Sequence, residues 1–285
     1  MEKLTRILAV ANGIDECALV LGKSVELARR FGAHIELMLF GKVEPREIAK
    51  LHSELAYDKV TLASMHCGGE STTVTILRRV HATQPDLVVK SPAGTHPLDR
   101  WTLQENDWHL ANECPAPVLL VRHKSWASPI RFAAAIDVAD DETLDTARSI
   151  LHAAGFMALG CHGDLDILYS EREQHDDALR MERAVKLAQL VREYHVGCER
   201  IQVFQGAPEE TLPPLVAARR YDVLVLGAQS RQPVLKNLFG ATNSCLVQAT
   251  EGDVVLVKTP GREAGIGDLH ESLREKRSHE CEQFA

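Results

Sequence analysis

A carboxylate and a segment of small residues mark a candidate anion site in the second half of the chain. Asp137 directly follows the apolar run AAAI, and the small-residue segment begins at Gly227 and ends at Gly240 and Thr242, where a helix is predicted to start. Glycine lets a backbone approach a ligand closely, and the free N–H groups of a helix start favour a phosphate. These residue types in this order predict a phosphate-binding loop beside a carboxylate.

Two further residues of the segment could contribute, and each member of the site also has a simpler interpretation. Ser230 could donate a hydrogen bond to a phosphate, and Arg231 could pair with it or remain a solvated loop charge. Asp137 could cap the turn into the next helix, as aspartate often does. Gly227 and Gly240 could serve only tight turns. The sequence alone leaves these alternatives open.

A repeat with a period of 136 residues relates the two halves of the chain. PDLVVK reappears as YDVLVLG, and Asp86 lies 136 positions before Asp222. A repeat this long indicates duplicated domains, because solenoid repeats have periods of a few tens of residues. The first strands, ending near Asn12 and Asp137, give an offset of only 125. The second copy therefore carries an insertion of 11 residues (136 − 125), which we expect in a longer second helix around residues 170–184.

Apolar runs and helical stretches alternate in the order βαβαβαβαβ in both halves. Strands joined by helices form parallel sheets whose faces the helices cover. We therefore predict an α/β protein of two tandem doubly wound domains, each a five-stranded parallel sheet with helices on both faces. The predicted domains are residues 1–123 and 130–258, followed by a polar tail, 259–285, that we expect to be frayed or disordered.

The sequence also predicts how the two domains meet. The last strand of each, Val118–Val121 and Val254–Val257, would otherwise be an exposed edge, so we expect these strands to pair within the chain. Trp101, Trp108 and Trp126 surround this region and are expected to pack at the domain seam. A homodimer of the whole chain is a further possibility.

Composition excludes several classes of function. The formal charge of −8 argues against a nucleic-acid binder, which needs a concentrated basic face. The seven cysteines form no CxxC pair and are typical of free thiols in a reducing cytosol. The N-terminal apolar run is too short for a signal peptide or membrane span, so we expect a cytoplasmic protein without a membrane partner.

Metal binding and catalysis find little support in the sequence. The closest His/Cys neighbours, His162 beside Cys161 and His109 before Cys114, lack the paired ligand motifs of a structural zinc site. The chain has no GKS/T phosphate loop and no GxGxxG motif. We therefore expect neither a metal nor an enzymatic activity, with weak ATP hydrolysis left open.

The chain resembles the universal stress proteins in their tandem form, and most closely the universal stress protein E subfamily, over residues 5–258. DWHLANECPAPVLLVRHKSW, residues 107–126, resembles the first-domain ending and linker of that subfamily. Nucleotide-binding members of the family have an Asp after the first strand and a Gly-x2-Gly-x9-Gly-(Ser/Thr) loop after the fourth. The resemblance implies an adenine-nucleotide alpha-hydrolase-like fold, binding of ATP or AMP, and a role in stress survival.

The second half matches this pattern with two departures. Asp137, Gly227 and Gly240 stand at the family positions, whereas Ser230 replaces the second glycine and Ala241 replaces the Ser/Thr, with Thr242 one residue on. The resemblance therefore places a candidate site for ATP or AMP at Asp137, Gly227, Ser230, Arg231, Gly240 and Thr242.

The first half lacks most of the pattern. Asn12, Ser91 and Gln104 stand where the second half has Asp137, Gly227 and Gly240, and we expect the acids Glu105 and Asp107 to repel phosphates. We therefore predict that the first half binds no nucleotide. The alternatives for the whole chain are a nucleotide-free, pseudo-dimeric scaffold and a carrier of apolar ligands.

Overall fold

A computed structural model describes residues 3–57, 61–67, 72–92, 105–139, 141–171, 177–194, 200–228 and 241–258. The elements of the first half are β1 Arg6–Asn12, α1 Gly13–Phe31, β2 His34–Phe40, α2 Pro45–Tyr57, β3 Leu62–Cys67, α3 Thr73–Thr83, β4 Leu87–Lys90, α4 Glu105–Glu113 and β5 Val118–Leu120. Those of the second half are β6 Arg131–Ala135, α5 Asp141–Gly160, β7 Asp164–Glu171, α6 Asp177–Glu193, β8 Ile201–Gln205, α7 Pro208–Arg219, β9 Val223–Gly227, α8 Ala241–Ala249 and β10 Asp253–Val257.

One sheet of ten described strands runs through the molecule, in the order β3-β2-β1-β4-β5-β10-β9-β6-β7-β8. Within each half all strand pairs are parallel, and the two halves share the same internal strand order. The predicted α/β fold with a doubly wound parallel sheet is thus confirmed. The expected pairing of the two final strands joins both five-stranded sheets into one.

The joint between the halves is an antiparallel pair of their last strands. β5 and β10 pair with Leu119 opposite Val255 and with Val118 opposite Leu256. This is the intramolecular pairing expected from the two final apolar runs. Because each strand covers the open edge of the other, neither edge is left to pair with another chain.

Helices cover both faces of the sheet, and the strand residues alternate between two apolar clusters. Ile7 and Ala9 of β1 pack in one cluster, and Leu8 and Val10 pack in the other. Helices α1, α2, α5 and α6 contribute to the first cluster, whereas α3, α4, α7 and α8 contribute to the second. The near-continuous burial of strands such as β1 and β9 follows from this double cover.

A buried polar network ties the linker to both halves at the seam. Asp253 is fully buried; its Oδ2 accepts a hydrogen bond from Trp126 Nε1 at 2.7 Å and lies 3.2 Å from Lys23 Nζ. Its Oδ1 accepts from the Arg122 amide at 2.7 Å, and Lys23 also lies over the Trp126 ring. The seam position expected for Trp126 is confirmed. Trp108, a residue of α4, is buried in the apolar cluster that includes Val118 and Val254, and Trp101 lies outside the described residues.

The repeated aspartate of each half performs the same structural role. Asp86 Oδ2 accepts from the Arg6 amide at 3.0 Å, and Asp222 Oδ2 accepts from the Arg131 amide at 2.9 Å. Both contacts hold the amino end of a half's first strand against its fourth. The duplicated motif that reveals the repeat therefore belongs to the framework, at the end of the sheet opposite the candidate site.

The insertion in the second half is divided, contrary to the expectation of one longer helix. Arg6 pairs with His34 and Arg131 with Asp164, so the offset between halves grows from 125 at the first strand to 130 at the second. Helix α1 begins directly after β1, whereas residues 136–140 separate β6 from α5. Part of the insertion is therefore a loop at the carboxyl end of β6, and this loop carries Asp137.

Candidate functional site

The candidate site lies at the carboxyl ends of β6 and β9, adjacent parallel strands of the second half. Their pairing sets Ala134 beside Val225, so Asp137 and Gly227 come to the same edge of the sheet. The strand order reverses between these two strands: β7 and β8 lie on one side of β6, whereas β9 and β10 lie on the other. A crevice at such a point is where open α/β sheets place their ligands.

Asp137 is half-buried and partly used by its own turn. Its Oδ1 accepts a hydrogen bond from the Ala139 amide, two residues on, at 2.9 Å. The carboxylate also acts at longer range, since it is one of the groups that raise the pKa of Tyr169, after burial as the largest cause. The turn interpretation of Asp137 accounts for the hydrogen bond from Ala139.

Gly227 is required by packing rather than by a tight turn. It ends β9 in a buried extended segment, and a Cβ at this position would lie 2.8 Å from Thr146 Cγ2 of α5. Its carbonyl accepts a hydrogen bond from Asn243 Nδ2 at 2.8 Å. The missing side chain thus lets α5 approach the strand end, while Asn243 anchors the start of α8 there.

Thr242 lies in the first turn of α8, where a phosphate would meet the helix start. Its hydroxyl donates to Glu209 Oε2 of α7 at 3.3 Å. This contact places a carboxylate beside the predicted phosphate position, which the sequence did not indicate. Ser230, Arg231 and Gly240 lie outside the described residues, so their predicted contacts remain predictions.

The equivalent edge of the first half is filled by an internal ion pair. Lys90 ends β4, and its ammonium pairs with the Asp107 carboxylate of α4; both side chains are almost completely buried. Asp107 was expected to repel phosphates, but Lys90 compensates its charge. Asn12 is likewise engaged within its own half, because its amide N–H and Nδ2 both donate to Glu16 Oε2.

Sequence reasoning missed a cluster of polar side chains at the end of β7, beside the candidate site. Tyr169 and Glu171 are almost completely buried on this strand, and Arg180 and Arg183 lie one turn apart on α6. The Tyr169 hydroxyl, Glu171 Oε1 and the Nε atoms of both arginines are buried and have no hydrogen-bond partner within the part of the chain that the structure describes. The available signal was a charged residue at an inward-facing position of the alternating strand LDILYSE.

Other reactive groups of the described residues are inert or isolated. The five described cysteines are free, and burial raises the pKa of Cys17 to about 11 and that of Cys114 to about 12, so neither thiol is a ready nucleophile. Among the described residues, no three His, Cys, Asp or Glu side chains come together as metal ligands. None of the described helices is both long and apolar enough to cross a membrane.

Comparison with known proteins places this site in a family context. Residues 131–258 match the model of the universal stress protein family. Universal stress protein E of Salmonella typhi is 22% identical over 201 residues, and the match spans 64% of this chain and 64% of that relative's length.

Solved structures with the same fold extend over nearly the whole chain. A protein of Pseudomonas aeruginosa UCBPP-PA14 described as a universal stress protein superposes with a TM-score of 0.77 at 21% identity, covering 90% of this chain and 94% of that one. A universal stress protein of Archaeoglobus fulgidus DSM 4304 gives a TM-score of 0.64 at 14% identity, covering 90% and 97%. At these identities the likeness shows the fold.

Proposed function

Residues 131–258 belong to the universal stress protein family, and from that membership we propose that the chain is a stress-response protein that binds an adenine nucleotide, ATP or AMP, in its second half. The protein acts by binding rather than by catalysis. The nucleotide lies at the carboxyl ends of β6 and β9, with Asp137 on one side and the segment from Gly227 to Thr242 on the other.

The observation that carries this proposal is the difference between the equivalent edges of the two halves. In the second half a five-residue loop, 136–140, separates β6 from its helix and sets Asp137 beside the end of β9. The first half has no such loop, and an ion pair fills its edge. A ligand that binds where the strand order reverses, between β6 and β9, would contact the inserted loop.

A nucleotide-free scaffold is the second candidate, and specific contacts favour it. Asp137 Oδ1 is engaged by the Ala139 amide, Gly227 is explained by the approach of Thr146, and Thr242 already bonds to Glu209. In that case the continuous sheet and the buried seam are the functional features, presenting two similar surfaces to partner proteins. Both proposed functions are compatible with the same fold and contacts, so binding experiments must distinguish them.

Isothermal titration of the full chain with ATP and AMP tests the proposal. We expect one nucleotide per chain, with Thr242→Val weakening the affinity about tenfold because a hydrogen bond to a charged group is lost. The matched control is Asn106→Ala, at the equivalent first-half position, which should leave the affinity unchanged. No heat of binding at millimolar nucleotide would remove the proposal and favour the scaffold.

Native mass spectrometry of the freshly purified chain gives an independent test. A mass excess that equals one AMP or ATP, and that disappears on gentle collisional activation, supports the nucleotide site. The Asp137→Asn variant should carry less of this excess than the wild-type chain. A bare chain mass in both samples, together with silent titrations, would again favour the scaffold.

A further inference from the structure

The polar cluster at the end of β7 contains buried atoms that have no hydrogen-bond partner among the described residues. Tyr169 is 3% exposed and Glu171 is 9% exposed, and alternation along β7 points both toward the face covered by α5 and α6. Among the described residues, no hydrogen-bond partner meets the Tyr169 hydroxyl, Glu171 Oε1 or the Nε atoms of Arg180 and Arg183, although Arg183 is near enough to Tyr169 to lower its pKa. A buried polar group without a hydrogen-bond partner destabilises the fold, so these groups indicate that a ligand supplies the missing hydrogen bonds.

The charges of the cluster indicate which partner is missing. No carboxylate of the described residues lies within ion-pair distance of Arg183, although its side chain is half-buried. Among the described carboxylates, Arg180 pairs with Asp177, which is fully exposed and lies 3.8 Å away. A pair of guanidinium groups one helical turn apart, with unused Nε–H donors, fits an oxyanion.

Tyr169 and Glu171 refine the chemistry of that partner. Burial raises the pKa of Tyr169, with Glu171 and Asp137 acting in the same direction and Arg183 against them, so the phenol stays a donor near neutral pH. It can therefore add an O–H to the arginine donors. Glu171 would repel a bare anion, and its free oxygen needs a donor. The fitting ligand thus carries a hydroxyl or amine next to its anionic group.

We propose that Tyr169, Glu171, Arg180 and Arg183 form a second binding subsite for a small anionic molecule. The arginines and Tyr169 donate hydrogen bonds to its carboxylate or phosphoryl group. An adjacent hydroxyl or amine of the molecule donates to Glu171. The subsite lies at the end of β7, one strand beyond the β6–β9 crevice. It does not depend on nucleotide binding at Asp137 and Thr242.

Titration with four simple probes tests both the anion and its neighbouring donor. Glycerol 3-phosphate and lactate carry a hydroxyl beside a phosphoryl and a carboxylate group, respectively, and inorganic phosphate and acetate are the matching anions without it. We expect one hydroxylated probe to bind at least tenfold more tightly than its simple counterpart. The better of the two pairs distinguishes a phosphoryl from a carboxylate ligand.

Variants assign that binding to the cluster. Arg183→Gln should weaken the preferred probe at least tenfold, and Tyr169→Phe, which retains the packed ring, should weaken it several-fold. Arg148→Gln is the control, because it removes the same charge from α5, where Arg148 pairs with Asp145 on the surface. Equal losses for Arg148→Gln and Arg183→Gln, or binding unchanged in Tyr169→Phe, would overturn the proposal.

Two further results bear on the subsite. Absence of binding by all four probes at 10 mM would overturn it outright. Thr242→Val should leave probe binding unchanged, and Arg183→Gln should leave AMP binding unchanged. The two variants therefore distinguish a failure of this subsite from a failure of the nucleotide site.

Discussion

The carboxyl ends of β4 and β9 occupy equivalent positions in the two halves, yet they are closed by different chemistry. In the first half, Lys90 and Asp107 form a buried ion pair between strand and helix. In the second half, Leu226 and Asn243 stand at these positions, and the Asn243 amide bonds the carbonyl of Gly227. Both arrangements anchor a helix to a strand end, but the ion pair fills its edge, whereas the amide anchors α8 without placing a charge there.

The loops after the first strands extend this comparison. Asn12 bonds to Glu16 in the first turn of α1, which begins directly after β1. In the second half, residues 136–140 intervene before α5 and place Asp137 at the edge. The two halves thus differ at this edge: an ion pair fills it in the first half, and in the second half it is where we propose that a ligand binds.

Breaking the ion pair of the first half should have the largest effect on stability. Lys90→Met leaves Asp107 as an uncompensated buried carboxylate, so we expect a loss of about 3–5 kcal/mol in the free energy of unfolding. Urea denaturation followed by circular dichroism measures this loss. The double variant Lys90→Met/Asp107→Asn should recover much of it; no recovery would show that the pair does not act through charge compensation.

The residue just before the last strand is packed differently in the two halves, and adding or removing one methyl group there tests this difference. Ala116 stands in the first half where the second has Gly252, whose added Cβ would lie 2.4 Å from the Tyr221 carbonyl oxygen. Gly252→Ala should therefore cost about 3 kcal/mol, because backbone must shift to relieve the clash. Thermal unfolding measures the loss, with Ala116→Gly as the control expected to cost about 1 kcal/mol or less. Similar losses for both variants would contradict the packing difference.

Stability should depend on pH through Asp253, a buried carboxyl group of the second half at the seam between the halves. Burial raises the pKa of Asp253 to about 6, against the opposing effects of Lys23 and of the hydrogen bonds from Arg122 and Trp126. The folded chain therefore holds this proton more tightly than the unfolded chain. Stability from this group is fully present below pH 4 and is lost as the pH rises through 6, by about 2–3 kcal/mol.

The measurement is the difference in unfolding free energy between wild type and Asp253→Asn from pH 4 to pH 7, since other titrating groups cancel in that difference. We expect the wild-type advantage to shrink as the pH rises. A difference that stays constant, or that grows with pH, would show that Asp253 is held ionised at the seam.

The smallest expected effect concerns the carboxylate beside Thr242. Glu209→Gln removes a negative charge next to the predicted phosphate position and should strengthen AMP binding several-fold, about 1 kcal/mol or less. Glu210→Gln, its neighbour on α7, removes the same charge and should have a weaker effect. Titration calorimetry measures both. Weaker AMP binding in Glu209→Gln would mean that the carboxylate assists the ligand instead of opposing it.

Periodicity and the repeat were sufficient to predict the element order, the parallel halves and the pairing of the two final strands, because buried strands and amphipathic helices leave regular apolar patterns. The antiparallel direction of that pairing came only from the structure. They did not predict contacts that depend on three-dimensional proximity. The packing of Thr146 against Gly227 and the bond from Thr242 to Glu209 join residues far apart in the sequence, and the half-buried arginines of α6 meet β7 only through the fold. The divided insertion escaped detection because the loop after β6 contains the buried apolar residues Ile136 and Val138, which extend the apolar pattern of the strand.

Photoaffinity labelling with 8-azido-ATP, followed by peptide mapping, tests the difference between the two edges most directly. We predict that the labelled peptides come from residues 131–258, that excess AMP prevents their labelling, and that Asp137→Asn reduces it while Asn12→Ala does not. Label on peptides of the first half, or equal label on both halves, would contradict the proposal that only the second half binds a nucleotide.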